Sequence, residues 1–121
     1  MELLTKVNIQ SSEKKIEYQD KILLLGSCFA DNVGEKFAEH YFQTTINPFG
    51  TLYNPVSIAN NLLPITSDHL PVVCHNGLWH SMMHHGGFSH LDKDELLQRC
   101  EESQTVMSRA LQEASTIIVT F

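Results

Sequence analysis

Residues 22–37 of the chain read ILLLGSCFADNVGEKF, and this stretch indicates how the fold begins. Residues 22–25 form an apolar run typical of a parallel-sheet strand, which is buried on both faces. Beyond Gly26, apolar residues recur at spacings of three and four, as on one face of an amphipathic helix. The stretch therefore predicts a buried strand, a tight turn and a helix in direct succession.

Local signals downstream predict further strands and helices. QTTINPFG at 43–50 has the pattern of a short second strand closed by a turn. Asn54-Pro55 predicts the start of a short helix that ends near Pro64, because asparagine caps free N–H groups and proline has none to lose. Asn76-Gly77 lies between two apolar-rich runs and predicts a β-hairpin.

The last third of the chain predicts a long helix and a strand. Asp92 and Glu95 form a start similar to a capping box, and a helical apolar stripe follows. It leads into TIIVTF at 116–121, which predicts another buried parallel strand. At the other end of the chain, KVNI at 6–9 and KIEY at 15–18 each predict a short edge strand.

Together the elements predict an α/β layered domain with a mostly parallel sheet and a hairpin insertion. We expect residues 1–121 to form a single domain. A buried strand in the last residues favours a sheet that continues, so we interpret the chain as the N-terminal part of a longer domain. An unfinished sheet has an open edge, and self-association or marginal stability is expected.

Composition excludes several classes of function. The net charge is −6 with scattered basic residues, so nucleic acid is not an expected partner. No apolar run reaches membrane-spanning length and no signal pattern begins the chain, so we expect no membrane partner and a cytoplasmic location. Three cysteines without a CxxC pattern suggest neither a disulfide framework nor a zinc finger, and no cofactor is expected.

Gly26, Ser27 and Cys28 are the first candidate site. They lie where the first strand ends and the helix begins, and ligands of open α/β sheets bind at that edge. A helix N-terminus offers unpaired N–H groups that stabilise negative charge. Either the hydroxyl or the thiol is therefore placed for nucleophilic chemistry. The structural alternative is that Gly26 makes the turn, Ser27 caps the helix and Cys28 is a small buried residue.

Histidines form the second candidate cluster, with five between 75 and 90. A general base from His84 or His85 is one interpretation, because imidazole titrates near neutrality. A metal site built from His80, His84, His85 and His90 is a rival interpretation, and whether their spacing suits a metal depends on the secondary structure that carries them. Solvated loop histidines are the third.

The loop NPFGTLYNP at 47–55 is the third candidate. Two Asn-Pro pairs around Gly50 describe a rigid loop, and such a loop beside a nucleophile supplies N–H donors to an oxyanion hole. Asn54 belongs to the same candidate substrate-binding loop. A well-made turn followed by a helix cap is the structural alternative.

Four segments resemble the GSCFA-domain family in the right order: LLLGSCFADNVGEKF, NPFGTLYNP, GLWHSMMHHGGFSH and ASTIIVTF. That family is similar to the SGNH (GDSL-like) hydrolases, so the resemblance implies a three-layer flavodoxin-like fold and an esterase acting on acyl or acetyl groups. Strict spacing from Gly26 puts Cys28 in the place of the nucleophilic serine, whereas a shift of one residue puts Ser27 there. Gly50 matches the glycine of the oxyanion hole.

The chain departs from that group of hydrolases in two respects. The third motif of the group, a glycine and an asparagine after a buried strand, is expected just beyond Phe121. Their Asp-x-x-His pair has no counterpart in these 121 residues. Triad members act as a unit, so we expect the chain by itself to be inactive or nearly so, with the base supplied from beyond Phe121. The sequence thus predicts an SGNH-like hydrolase of a small-molecule or glycan ester. The alternative is a non-catalytic α/β domain that binds a ligand or glycan.

Overall fold

The computed structural model describes residues 4–64 and 67–121 as a mixed α/β fold. A three-stranded parallel sheet is accompanied by a separate antiparallel hairpin. The elements are β1 (Lys21–Gly26), α1 (Cys28–Glu39), β2 (Gln43–Ile46), α2 (Pro55–Asn61), β3 (Val72–His75), β4 (Leu78–Ser81), α3 (Lys93–Glu113) and β5 (Thr116–Thr120). Single 3₁₀ turns occupy Ser67–His69 and Gly86–Phe88.

The first strand is the centre of the sheet. β1 pairs with β2 on one side and with β5 on the other, both in parallel, so that Leu24 lies opposite Ile46 and Ile118. Residues 22–26 are buried. The apolar run at 22–25 is therefore the strand buried on both faces that the sequence predicted.

Helices cover both faces of this sheet. On one face, Ile22 and Leu24 pack with Ala30 of α1. On the other, Leu23 and Leu25 pack in a cluster with side chains of α2 and α3, including Met107. The layered α/β prediction is confirmed at this level.

The hairpin prediction is also confirmed. β3 and β4 are joined by Asn76 and Gly77, whose φ angles are 50° and 77°. Two positive φ angles are what a type I′ turn requires, and asparagine and glycine adopt them most easily. The predicted helix starts are confirmed at Asn54 and Asp92, whose side chains accept backbone N–H groups at the ends of α2 and α3.

Two predictions about strands are wrong. Residues 6–9 and 15–18 form no strand, because neither segment pairs with a strand of either sheet. β5 is parallel as predicted but is not buried on both faces, because Ile117 and Val119 are 49% and 43% exposed. An apolar strand sequence shows what a strand can bury, whereas its exposure depends on which elements cover it.

Candidate functional site

The turn after β1 needs glycine for two reasons. Gly26 has a φ of +127°, and a Cβ at this position would lie 1.8 Å from the Thr120 carbonyl oxygen. Its N–H donates to Asn47 Oδ1 at 2.7 Å, and its carbonyl accepts the Leu52 N–H at 2.8 Å. The turn is therefore held by β5 on one side and by the loop after β2 on the other.

The Ser27 side chain caps the helix that follows this turn. It is the N-cap of α1, and its hydroxyl lies 3.4 Å from the Phe29 nitrogen, whose N–H donates to it. The hydroxyl also lies 2.9 Å from Thr120 Oγ1, and the Ser27 N–H donates to the same oxygen at 3.1 Å. The residue is only 4% exposed. Its hydroxyl therefore faces the protein and is hydrogen-bonded there.

Cys28 is the accessible member of the pair. It is the first residue of α1 and its side chain is exposed, so it is not the small buried residue of the structural alternative. Tyr53, from the loop before α2, lies beside it, and hydrogen bonding to the Cys28 thiol raises the pKa of the Tyr53 phenol. A thiol, a phenolic hydroxyl and a helix N-terminus thus meet at the carboxyl end of β1.

Asn47 links the two sides of the site and was not identified from the sequence as a site residue. Its φ is 39°, its Oδ1 accepts the Gly26 N–H, and its Nδ2 donates to Asp31 Oδ1 at 2.6 Å. Its backbone N–H donates to the Leu24 carbonyl at 2.9 Å. The available signal was its place in the first Asn-Pro pair, directly after a strand parallel to β1.

The loop residues proposed as oxyanion donors have hydrogen bonds of their own. The Gly50 N–H donates to the Asn47 carbonyl at 2.8 Å, and Gly50 has a φ of +79°. The Asn54 side chain accepts the Val56 N–H at 2.8 Å as the cap of α2. Both residues therefore shape the loop next to the Gly26 turn, and these two hydrogen bonds stabilise that loop and the start of α2.

The segment after the hairpin packs on this loop. The His85 N–H donates to the Phe49 carbonyl at 2.9 Å, and a Cβ at Gly50 would lie 2.4 Å from His85 Cβ. The His84 ring lies between Phe49 and Phe88, with centroid distances of 4.5 and 4.6 Å. The two candidate histidines therefore pack against the 47–52 loop. That loop in turn is hydrogen-bonded to the Gly26 turn.

Neither histidine contacts the two candidate nucleophiles by a hydrogen bond. His84 Nδ1 bonds to Ser81 Oγ at 2.8 Å, and burial lowers the pKa of His84 to about 4. His85 Nδ1 accepts the Gly87 N–H at 3.1 Å. Across residues 4–64 and 67–121, no histidine is a hydrogen-bond partner of Ser27 Oγ.

The remaining histidines lie on the hairpin and beyond it. His80 Nδ1 bonds to Ser89 Oγ at 2.7 Å, and His90 Nδ1 accepts the Asp92 N–H at 3.1 Å. Within the part of the chain that the structure describes, no group of three or more His, Cys, Asp or Glu side chains is arranged to hold a metal ion. No helix in that part is long and apolar enough to cross a membrane.

The chain is thus a parallel α/β domain with a strand, turn and helix site at the carboxyl end of its central strand. The sequence profile of the GSCFA family matches residues 21–121, which include that site, and the chain belongs to this family. The resemblance noted from the four segments is confirmed. No curated protein and no solved structure matches the chain.

Proposed function

We propose that the chain provides the nucleophile of an SGNH-like acyl ester hydrolase and that this nucleophile is Cys28. The overall architecture we propose is the three-layer flavodoxin-like fold of those hydrolases. The substrate is the ester of a small molecule or a glycan, and the reaction needs no cofactor. The expected setting is the cytoplasm, in keeping with three free cysteines.

One observation carries the choice of nucleophile: the Cys28 side chain is exposed at the N-terminus of α1, whereas Ser27 is buried and bonded to Thr120. A group that attacks an acyl carbonyl must reach the substrate. Ser27 then takes the structural role of cap, and the register counted from Gly26 agrees with this assignment.

The reaction follows from the position of the thiol. The Cys28 thiolate attacks the ester carbonyl, a C–S bond forms, and the carbonyl oxygen becomes an oxyanion. The N-terminal N–H groups of α1 favour that negative charge, and the Tyr53 hydroxyl beside the thiol supplies a further donor. The C–O bond then breaks, and the alkoxide takes up from solvent the equivalent of the proton that the thiol released to solvent. Water then hydrolyses the thioester to the acid and the free thiol.

The second half of the reaction needs a general base that activates water. The chain contains no Asp-x-x-His, and among residues 4–64 and 67–121 no histidine is hydrogen-bonded to the Ser27 or Cys28 side chain. We therefore expect this chain to be acylated faster than it is regenerated. The expected behaviour is a stoichiometric burst with little turnover.

The test is incubation with p-nitrophenyl acetate, followed by p-nitrophenol release and intact-mass measurement. We expect a burst of about one equivalent and a single acetyl group mapped to residue 28. Cys28→Ala should abolish both, whereas Ser27→Ala should keep the acetyl group. Cys74→Ser is the matched control, because Cys74 is also exposed but lies on the hairpin strand β3. Acetylation at Ser27, or equal acetylation of residues 28 and 74, would reject the assignment.

A non-catalytic binding domain is the second candidate, and it is favoured because no histidine in the described part of the chain is hydrogen-bonded to the Ser27 or Cys28 side chain. In that function the Gly26 turn binds an anion or a glycan through the backbone N–H groups at the N-terminus of α1. Binding would then persist in Cys28→Ala without any burst in the wild-type protein. The acetylation experiment separates the two candidates.

A further inference from the structure

Asp31 places a negative charge on the same side of α1 as the Cys28 thiol. The two residues are three positions apart in the first turn of the helix, and side chains at that spacing are neighbours, with Cβ atoms about 5–6 Å apart. Asn47 Nδ2 donates to Asp31 Oδ1 at 2.6 Å and holds the carboxylate against the 47–52 loop. None of the ion pairs among the described residues includes Asp31. No basic side chain therefore neutralises this carboxylate.

Tyr53 adds an aromatic face to the same place. Hydrogen bonding to Cys28 is the main reason why the pKa of the Tyr53 phenol is raised, and the negative charge of Asp31 raises it further. The phenol is therefore near both the thiol and the carboxylate. Tyr53 is nevertheless 60% exposed, so most of its side chain is accessible to a ligand that approaches Cys28.

The segments around this site carry few charges, and those outside ion pairs are acidic. Residues 41–64, which run from β2 to the end of α2, contain no charged side chain, and neither do residues 116–121. On α1, Lys36 is paired with Glu39 at 2.6 Å, and Glu35 is exposed one turn further along the helix than the carboxylate beside the thiol. Of the charged side chains described in these segments and in α1, only carboxylates lie outside an ion pair.

We propose that Asp31 and Tyr53 recognise a positively charged group of the substrate, so that the ester attacked by Cys28 carries an alkylammonium group. The carboxylate attracts the ammonium directly, and the face of the aromatic ring attracts it through the ring quadrupole. The backbone N–H groups at the start of α1 are left for the acyl oxygen. The inference rests on the proposed function in naming an ester, whereas recognition of the cation needs no hydrolysis.

Three methanethiosulfonate probes test the recognition step on the 121-residue chain. Each forms a disulfide with a thiol and releases methanesulfinate. They transfer a trimethylammonium-ethyl group, its neutral carbon isostere the neohexyl group, or an anionic sulfonatoethyl group. Peptide mass spectrometry gives the rate at Cys28, with the exposed Cys74 as the reference thiol. Relative to Cys74, Cys28 should react about tenfold faster with the cationic probe than with the anionic one, and about 1 M salt should reduce this ratio.

Variants separate the carboxylate from the ring. Asp31→Asn should lower the cation-to-anion ratio about fivefold, although its side-chain oxygen can still accept from Asn47. Glu35→Gln is the matched control, because it removes the same charge one turn away, and it should change the ratio less than about twofold. Tyr53→Leu should lower the preference for the cationic probe over its neutral isostere about threefold, whereas Tyr53→Phe keeps the ring and should keep that preference.

The outcomes distinguish this inference from the proposed hydrolase. A wild-type ratio near one at low salt, or equal effects of Asp31→Asn and Glu35→Gln, would overturn it. If Asp31→Asn does not fold, the three probes and the salt dependence of the wild-type protein still decide. An acetyl burst at Cys28 without a preference for the cation would reject this inference alone. A preference for the cation without a burst would support the cation site and reject only the hydrolase.

Discussion

The Ser27 and Thr120 hydroxyl oxygens lie 2.9 Å apart although the two residues are 93 positions apart in sequence. The contact joins the cap of α1 to the end of β5, and the Ser27 N–H donates to the same threonine oxygen. The turn that presents Cys28 is therefore positioned by a strand at the opposite end of the chain.

This contact predicts coupling between residues 27 and 120. Ser27→Ala and Thr120→Val should each lower the free energy of unfolding by about 1 kcal/mol, because each removes a partly buried hydrogen bond. The double variant should lose less than the sum, with a coupling energy of about 0.5–1 kcal/mol in urea unfolding. Thr116→Val, at the other end of β5, is the control and should be additive with Ser27→Ala. Additivity of the 27 and 120 variants would contradict the contact.

Gly26→Ala should be strongly destabilising. The substitution combines a positive φ with a Cβ 1.8 Å from the Thr120 carbonyl oxygen, so the strand or the turn must move. We expect a loss of about 3 kcal/mol or more in unfolding free energy. Gly77→Ala has a similar φ problem without any neighbour within 4 Å, and should cost only about 1 kcal/mol. Equal losses in the two variants would show that the close approach to β5 is unimportant.

The burial of His84 predicts a pH dependence of stability. Burial lowers the pKa of this imidazole to about 4 from 6.5, so the unfolded chain takes up the proton first as the pH falls. Its contribution to stability is complete above about pH 6.5 and is lost progressively towards pH 4. The ring is only partly buried, so we expect the loss to be about 1–2 kcal/mol.

Urea unfolding between pH 4 and 7 measures this effect. His84→Phe keeps a ring between Phe49 and Phe88 and should flatten that part of the stability curve. His75→Phe makes the same change at an exposed position on β3 and should leave the slope intact. A slope that survives in His84→Phe would assign the effect to another group.

The three thiols should differ in their reaction with iodoacetamide. Cys28 and Cys74 are exposed, whereas Cys100 is 3% exposed and burial raises the pKa of its thiol. Mass spectrometry of peptides from the folded protein should show Cys100 alkylated at least about tenfold more slowly than the other two, because it reacts only after local opening. The difference should disappear in denaturing urea. Rapid labelling of Cys100 without denaturant would indicate a looser α3.

The position of β5 at an edge of the sheet formed by the described residues predicts self-association. The strand carries no charge, and Ile117 and Val119 are 49% and 43% exposed. Uncharged apolar edges pair readily with other strands. Sedimentation velocity should show a concentration-dependent increase in mass, which Val119→Lys reduces. Val106→Lys is the matched control, since Val106 is similarly exposed at 48% but lies on α3. A protein that stays monomeric at all concentrations and unfolds cooperatively would contradict this prediction.

Local chemistry explains what could be predicted from the sequence. The run at 22–25, the Asn76-Gly77 turn and the caps at Asn54 and Asp92 each depend on residues within a few positions of one another. Signals of that kind survive in the folded protein because the backbone geometry they favour is set locally. The order of strands and helices followed from them.

The site could be predicted only in part, because its contacts join distant segments. The sequence identified the position of the Gly26 turn, but which of the Ser27 and Cys28 side chains is accessible depends on Thr120, which is hydrogen-bonded to the Ser27 hydroxyl. The roles of Asn47 and Tyr53 depend on how the 47–55 loop folds against α1. The prediction that β5 is buried was wrong for the same reason, because the exposure of a strand is set by its neighbours in space.

The 93-residue separation between Ser27 and Thr120 also bears on how the protein is made. During synthesis, β1 and α1 leave the ribosome long before β5, so the nascent chain carries the turn without the strand that holds it. Closing so long a loop is entropically costly and favours late formation. The Gly26 turn is therefore expected to be among the last parts of the fold to acquire its native geometry, and a nascent chain that stops short of Thr120 would display Cys28 on an unanchored turn.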